Sequence, residues 1–138
     1  MQLLTLGLNH RTAPVDVRER VSFSREELRS GLLSLGEYDG LSGLVVLSTC
    51  NRTELYASVD DHESGGQALR QFLNDLAQGG DDLDEYLYNY ADEEAIRHLF
   101  RVASSLDSLV LGEGQILSQV KQAYALALEG HATSTALN

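Results

Sequence analysis

The chain has 138 residues, 43% of them hydrophobic and one of them proline, so its composition predicts an ordered globular domain with a substantial core. A formal net charge of −11 argues against a nucleic-acid binder with a basic surface throughout. The N-terminus carries neither a basic segment nor a long apolar run, and a single cysteine excludes an internal disulfide. We therefore expect a cytoplasmic protein with no signal peptide and no membrane span.

The first part of the chain predicts a strand and then a helix. Leucines alternate with other residues over 2–10, which indicates a strand that ends at His10. Ser24 is a candidate N-cap for the helix, because Glu27 follows three residues later. The helix should end near Gly36 and bury a stripe of three leucines, namely Leu28, Leu32 and Leu35.

Two strands, a second helix and a fourth strand follow. Residues 43–48 are mostly apolar, as in a central strand, and residues 54–59 alternate. A helix is predicted over 66–78, and residues 86–90 have the aromatic alternation of a strand. This order predicts an α+β fold of the ferredoxin-like α/β plait type, an antiparallel sheet with two helices on one face.

A small helical subdomain is predicted after the plait. Helices are expected over 92–105, capped by Asp92, and over roughly 115–129. In the first of them His98 lies more than 90° from the centre of the apolar stripe, so we expect it to face water or a cleft and not the core. The stripe itself is formed by Ile96, Leu99, Phe100 and Ala103. The chain thus divides into an α/β subdomain, 1–91, and a helical subdomain, 92–138.

Cys50 is the strongest candidate for chemistry. It lies between two predicted strands and close to Arg52, and a nearby cation favours the nucleophilic thiolate. A lone cysteine is more often a small buried hydrophobic residue, and both interpretations are open at this point. No turn glycine accompanies Cys50, so something other than a tight hairpin is expected to shape this corner.

Other sites receive less support from the sequence. Gly112 and Gly114 at a helix start could direct backbone N–H groups at an anion, although a plain loop explains them equally. No GxGxxG segment follows a strand, so no dinucleotide site is predicted within this chain. The histidines and Cys50 lack any paired ligand spacing, so no metal site is predicted.

Three segments, in order along the chain, resemble the glutamyl-tRNA reductase family, whose members catalyse the first committed step of the five-carbon route to tetrapyrroles. The central segment is Ser48-Thr49-Cys50-Asn51-Arg52-Thr53-Glu54. The opening segment is Leu6-Gly7-Leu8-Asn9-His10-Arg11-Thr12-Ala13-Pro14-Val15. The third runs over 101–117 and includes Ser108, Glu113, Gly114 and Gln115.

The resemblance implies a catalytic N-terminal domain and its reaction. Cys50 would attack glutamyl-tRNA(Glu) and form a thioester, which NADPH reduces to glutamate-1-semialdehyde in the full enzyme. His98 would assist catalysis, and Arg52 would hold the substrate carboxylate. Without the resemblance, a surface salt bridge between Arg52 and Glu54 explains the arginine equally well. The glutamyl group would be bound by Thr49, Asn51, Arg52, Ser108, Glu113, Gly114, Gln115 and Gln119.

The resemblance also implies what lies outside this chain. The family's NADPH-binding and dimerisation domains would follow Asn138, so no cofactor-binding residue is expected here and the reduction step should not occur. The full enzyme would be a homodimer, and this chain alone would be a monomer. Two alternatives remain, namely a non-catalytic tRNA- or protein-binding module of the same fold, and another cysteine acyltransferase or esterase.

Overall fold

The computed structural model describes residues 2–77, 83–103 and 115–129, the last range with side chains from 119 to 128. The main elements in chain order are β1 (Gln2–Asn9), α1 (Val15–Arg20), α2 (Arg25–Leu33), β2 (Leu41–Ser48), β3 (Arg52–Val59), α3 (His62–Ala77), β4 (Tyr88–Ala91), α4 (Glu93–Ala103) and α5 (Gln115–Glu129). Within these ranges, no helix is long and apolar enough to cross a membrane.

The four strands form one sheet in the order β2-β3-β1-β4, and all neighbouring strands are antiparallel. The predicted ferredoxin-like plait is confirmed, because this is the strand order that the fold requires when β1 and β3 occupy the centre. The boundaries predicted from alternation differ from the observed ones by a few residues, with the largest difference at the start of α3.

One face of the sheet carries the main core. Strand alternation directs leucine, valine and alanine side chains of β1, β2 and β3 to this face, where α2 and α3 cover them. The Leu28, Leu32 and Leu35 stripe is buried as predicted. The predicted capping box is also present, since Glu27 N donates to Ser24 Oγ at 3.1 Å and Ser24 N donates to Glu27 Oε1 at 3.0 Å.

The opposite face is covered by α4, and here the predicted helix orientation is wrong. Ile96 is 45% exposed and Phe100 is 69% exposed, whereas His98 is only 7% exposed. The buried side chains of α4 are Ala95, His98 and Val102. The prediction assumed an apolar partner surface, but this face of the sheet carries charged and tyrosine side chains. A histidine can form hydrogen bonds with them, whereas an isoleucine cannot.

The expectation that residues 43–48 form a central strand is wrong, because β2 lies at the edge of the sheet. Its apolar side chains are buried because α5 packs along it and against α2. Ala123 joins a small cluster with Leu47, Tyr56 and Val102, whereas Leu126 and Ala127 belong to the main core. The helix therefore covers the outer edge of β2, which would otherwise present unpaired backbone groups. Both α4 and α5 contribute to packing on the sheet, and the division at residue 91 stays a prediction.

Helix α4 is tied to the sheet at its first turn by Asp92. The Asp92 carbonyl accepts the N–H of Ile96 at 3.1 Å, as at a helix start. Its carboxylate accepts the backbone N–H of Leu3 at 2.9 Å, and the residue has a positive φ of 50°. Asp92 thus joins the helix to β1, a contact that its predicted role as an N-cap did not include.

Candidate active site

Cys50 lies at the centre of the three-residue connection, 49–51, between β2 and β3, and its side chain is exposed. Ser48 pairs with Thr53, and Thr49 N donates to Arg52 O at 2.8 Å. The expectation that no tight hairpin forms here is wrong. The Thr49 hydroxyl accepts the N–H groups of Asn51 at 3.1 Å and Arg52 at 3.2 Å, so the turn closes without a glycine.

The base of this turn is braced by the segment that contains α1. Thr53 Oγ1 donates to Val21 O at 2.7 Å, and Phe23 N donates to Ser48 Oγ at 3.2 Å. A guanidinium N–H of Arg18 reaches Asn51 Oδ1 at 3.4 Å. The strands below Cys50 are therefore held in place while the thiol itself stays accessible, which suits a nucleophile.

A buried carboxylate lies at the centre of the polar sheet face. Glu54 is fully buried on β3 and is hydrogen-bonded to His98 Nε2. Tyr56 OH donates to Glu54 Oε1 at 2.8 Å, and Tyr88 OH donates to Glu54 Oε2 at 2.5 Å. Arg52 NH1 lies 3.7 Å from Oε1. The arrangement links a strand residue with a helix residue 44 positions later in the sequence.

The charge state of Glu54 follows from these contacts. Burial alone would raise the pKa of its carboxyl, but the hydrogen bond and charge of His98, the charge of Arg52 and the hydrogen bond from Tyr88 together hold that pKa below its ordinary value. Glu54 is therefore ionised at neutral pH. Burial and the neighbouring Glu54 raise the pKa of Tyr56, which stays protonated as the donor.

Two further features fix His98 and Glu54. The ring of Tyr90 stacks on His98 with 4.7 Å between centroids and 27° between planes. Gly7 lies opposite Glu54 in the sheet, and a Cβ there would come within 2.9 Å of Glu54 Cγ. Glycine at this position thus provides the space that the glutamate side chain occupies.

Arg52 occupies an unexpected place. Sequence reasoning weighed a substrate-binding role against a surface salt bridge with Glu54. The partner is Glu54, but the pair lies inside the protein, with Arg52 only 2% exposed. A buried ion pair of this kind requires its other hydrogen-bonding groups to be satisfied as well.

His98 lines a cleft of about 340 Å³ on the polar side of the sheet. This is one of the two surroundings expected for it, although the side chain is only 7% exposed. The cleft is lined by Asn9, Arg11, Thr12, Tyr88, Tyr90, Glu94, Arg97, His98 and Arg101. Because Asn9 pairs with Arg52, the cleft opens at the same end of the sheet as the Cys50 turn. Three arginines therefore gather beside His98, although the whole chain is strongly acidic.

The remaining predicted site residues fall into two groups. Ser108, Glu113 and Gly114 lie outside the described residues, and Gln115 is described only by its backbone at the start of α5. Gln119 is half-buried and lines a different groove, between α2, β2 and α5, together with Ser48. The structure thus gathers Thr49, Cys50 and Asn51 in the turn and links Arg52 with His98 through Glu54, whereas Gln119 is not among the residues of the His98 cleft.

Sequence reasoning missed the pairing of Glu54 with His98 and the tyrosines around it. A signal was present, because Arg52, Glu54 and Tyr56 alternate with the apolar side chains of β3 and so share one sheet face. The alternating Tyr88 and Tyr90 give β4 the same polar face. The helix residue that meets this face could not be identified without the tertiary structure.

Metals and dinucleotides impose requirements that the described residues do not meet. No group of three or more His, Cys, Asp or Glu side chains in these ranges could hold a metal ion. The sheet in the described ranges is antiparallel throughout, whereas the dinucleotide-binding fold needs parallel βαβ units with a glycine-rich turn. This part of the chain therefore does not fit NADPH.

Comparison with known proteins assigns the chain to a family. The model of the family described as "Glutamyl-tRNAGlu reductase, N-terminal domain" matches residues 6–138. The solved structure of glutamyl-tRNA reductase from Methanopyrus kandleri is similar to this chain, with 39% identity and a TM-score of 0.72. The alignment covers 98% of this chain and 30% of that protein, so the chain spans less than a third of its relative. On this evidence the chain belongs to the family of glutamyl-tRNA reductase N-terminal domains.

Proposed function

We propose that this domain carries out the acyl-transfer half of the glutamyl-tRNA reductase reaction. The Cys50 thiolate attacks the ester carbonyl that joins glutamate to the 3′ end of tRNA(Glu). An Sγ–C bond forms, the C–O ester bond breaks, and the tRNA 3′ oxygen takes up a proton as it leaves. The product is a glutamyl thioester on Cys50, which splits one difficult conversion into two easier steps.

The observation that carries the proposal is the braced turn that exposes the single thiol. Cys50 is exposed between two strands whose ends are hydrogen-bonded to the α1 segment. A structural cysteine is usually buried in apolar surroundings, and this one is not. Membership of the family adds the chemical identity of the acyl donor.

His98 is the residue proposed to move the proton. It lines the cleft at the end of the sheet where Cys50 lies, and an imidazole can transfer protons near neutral pH. A proton accepted from the thiol or given to the departing tRNA oxygen would keep the step balanced. In this role His98 needs a defined orientation, which Glu54 and Tyr90 provide.

The glutamyl group is proposed to contact the side of the turn and the α4–α5 region. The residues assigned to it by family resemblance are Thr49, Asn51, Arg52, Ser108, Glu113, Gly114, Gln115 and Gln119. Arg52 is already paired with Glu54 and is only 2% exposed, so a substrate carboxylate would have to enter the protein beside Glu54 to share that guanidinium. Buried Arg52 is therefore also proposed to orient Glu54 and His98 from within the sheet face.

The 3′ end of the tRNA is proposed to enter the cleft beside His98. Arg11, Arg97 and Arg101 can contact phosphates, and tyrosine rings at the cleft offer surfaces on which a base can stack. Glu94 offsets one of the three positive charges, since it lines the same cleft and pairs with Arg97 at 3.0 Å. The positive charge that is left gives an acidic domain a way to bind a polyanion.

Reduction of the thioester by NADPH is proposed for a longer protein that contains the remainder of the family's architecture. The homodimer implied by the resemblance is proposed for that longer protein too, and the cytoplasm is proposed as its location. The 138-residue chain alone should accumulate the thioester or release glutamate slowly by hydrolysis.

The test is a rapid-quench measurement of free tRNA after mixing the chain with glutamyl-tRNA(Glu). We expect a burst equal in amount to the enzyme, followed by slow turnover, and no burst with Cys50→Ser. A simple activated ester should be cleaved much more slowly than the glutamyl ester. Equal rates for both esters would support a general cysteine esterase, and tRNA binding without a burst would support a non-catalytic module.

A further inference from the structure

We infer that Glu54 is a positioning residue that determines which ring nitrogen of His98 is free to exchange a proton with the reactants. The inference rests on the proposed role of His98 in thioester formation. It assigns no contact between Glu54 and the substrate, because Glu54 is fully buried.

The Glu54 carboxylate has a fixed orientation. Oε1 accepts from Tyr56 OH and lies near Arg52, while Oε2 accepts from Tyr88 OH and contacts His98 Nε2. Each oxygen therefore has two neighbours at defined positions. A carboxylate held on both oxygens cannot rotate without losing a hydrogen bond inside the protein, where such a loss is costly.

The contact with Glu54 determines the tautomer of His98. An ionised carboxylate can only accept hydrogen bonds, so Nε2 must carry the proton in this contact. In the neutral ring the lone pair then resides on Nδ1. The stacked ring of Tyr90 opposes a ring flip that would exchange the two nitrogens. His98 therefore offers Nδ1 as its base and Nε2–H as its anchor, the division of roles that a carboxylate partner typically imposes on histidine.

The residues around the Glu54–His98 pair accommodate a buried carboxylate. A carboxylate on a sheet face covered by a helix is unfavourable unless it is paired and hydrogen-bonded. Gly7 leaves its space open, and two strands each supply a tyrosine hydroxyl to it. A purely structural ion pair explains the burial, but it predicts no effect on the chemistry of Cys50, and this difference can be measured.

The charges that act on His98 come from several elements. The titratable and charged groups that face the Glu54–His98 pair or share its cleft are Arg52, Tyr56, Tyr88, Tyr90, Arg11, Glu94, Arg97 and Arg101. Replacing Glu54 by glutamine removes the negative charge next to His98 and leaves all of these surrounding groups in place. The pH dependence of the reaction should respond to that single change.

The kinetic test compares wild type and Glu54→Gln in single-turnover thioester formation over a range of pH. We expect the rate at saturating glutamyl-tRNA to fall about 10- to 100-fold, with little change in affinity and with a displaced pH profile. Glu63→Gln, an exposed carboxylate on α3, is the matched control and should behave as wild type. Equal rates and superimposable pH profiles for wild type and Glu54→Gln would overturn the inference.

The second test needs no turnover. Nitrogen-15 NMR of the unaltered chain, at a pH where His98 is neutral, reports its tautomer directly. We expect the Nε2–H form; a dominant Nδ1–H form would overturn the inference even if Glu54→Gln failed to fold. If wild type formed no thioester at all, the proposed function would fail, while the tautomer would still decide the role of Glu54.

Discussion

At the scale of single residues, the Thr49 hydroxyl determines how the Cys50 turn closes. It accepts hydrogen bonds from the backbone N–H groups of Asn51 and Arg52, so the turn closes without a glycine. Thr49→Val keeps the shape of the side chain but leaves these donors without this partner. We expect a loss of about 1–3 kcal/mol in the free energy of unfolding and slower acylation of Cys50.

Thr49→Ser is the matched control, because it keeps the hydroxyl and removes only a methyl group. It should retain most of the stability in urea unfolding and most of the acylation rate. If the valine and serine variants were destabilised by the same amount, the hydroxyl would not be what holds the turn.

Glu54 should also govern how stability depends on pH. Its folded-state pKa lies below the ordinary value of 4.5, so the unfolded chain binds its proton first as the pH falls. The stabilisation is present above pH 4.5 and is lost as the pH drops through the folded-state pKa. Urea unfolding should therefore show that acid destabilises wild type more steeply than Glu54→Gln. Parallel curves for the two proteins would contradict this assignment.

At the scale of elements, alternation along the strands was sufficient to predict the plait. The leucines of β1 and the apolar side chains of β3 reach the same core because side chains in a strand alternate between faces. The orientation of α4 could not be predicted in this way. A helix stripe is read on the assumption that its partner is apolar, and α4 packs on a face that carries Glu54 and tyrosines.

Only part of the candidate site could be predicted from the sequence. Cys50 stood out in sequence because it is the single cysteine between two strands. The Glu54–His98 contact joins residues 44 positions apart, and no local pattern reports such a pairing. Arg52 was expected to bind the carboxylate of the substrate. In the structure it lies beside the carboxylate of Glu54.

Gly7 connects the packing of the strands with the site. A Cβ at this position would lie 2.8 Å from Thr53 O and 2.9 Å from Glu54 Cγ, so β1 or β3 would have to shift. We expect Gly7→Ala to lower the free energy of unfolding by about 1–3 kcal/mol and to slow thioester formation. Thermal unfolding and single-turnover rates would measure both effects.

Gly36→Ala is the control for this substitution, because nothing lies within 4 Å of the added Cβ. It should leave the rate unchanged and shift stability by less than about 1 kcal/mol. A Gly7→Ala variant as stable and as fast as Gly36→Ala would mean that the space opposite Glu54 is not restrictive.

At the scale of the whole molecule, a net charge of −11 coexists with a local cluster of arginines in the His98 cleft. We expect the double variant Arg97→Gln, Arg101→Gln to bind glutamyl-tRNA more weakly. If each arginine neutralises one phosphate of a single-stranded end, the slope of log affinity against log salt should decrease by about 0.7 for each arginine replaced.

Arg70→Gln serves as the comparison, since Arg70 lies on α3 and not among the residues of the cleft, while its ion pair with Asp84 at 3.1 Å matches that of Arg97 with Glu94 at 3.0 Å. Its effect on tRNA affinity and on the salt slope should be small. If all three arginines contributed equally, tRNA would be attracted by diffuse charge and not by the cleft.

The central claim is that Cys50 receives the glutamyl group from tRNA, and intact-protein mass spectrometry tests it most directly. The chain would be mixed with glutamyl-tRNA(Glu), quenched in acid to preserve a thioester, and compared with Cys50→Ser. We predict a glutamyl adduct on the wild-type chain that hydroxylamine removes, and no adduct on the variant. An unmodified wild-type chain with the tRNA ester intact, or an adduct that persists in Cys50→Ser, would contradict the account.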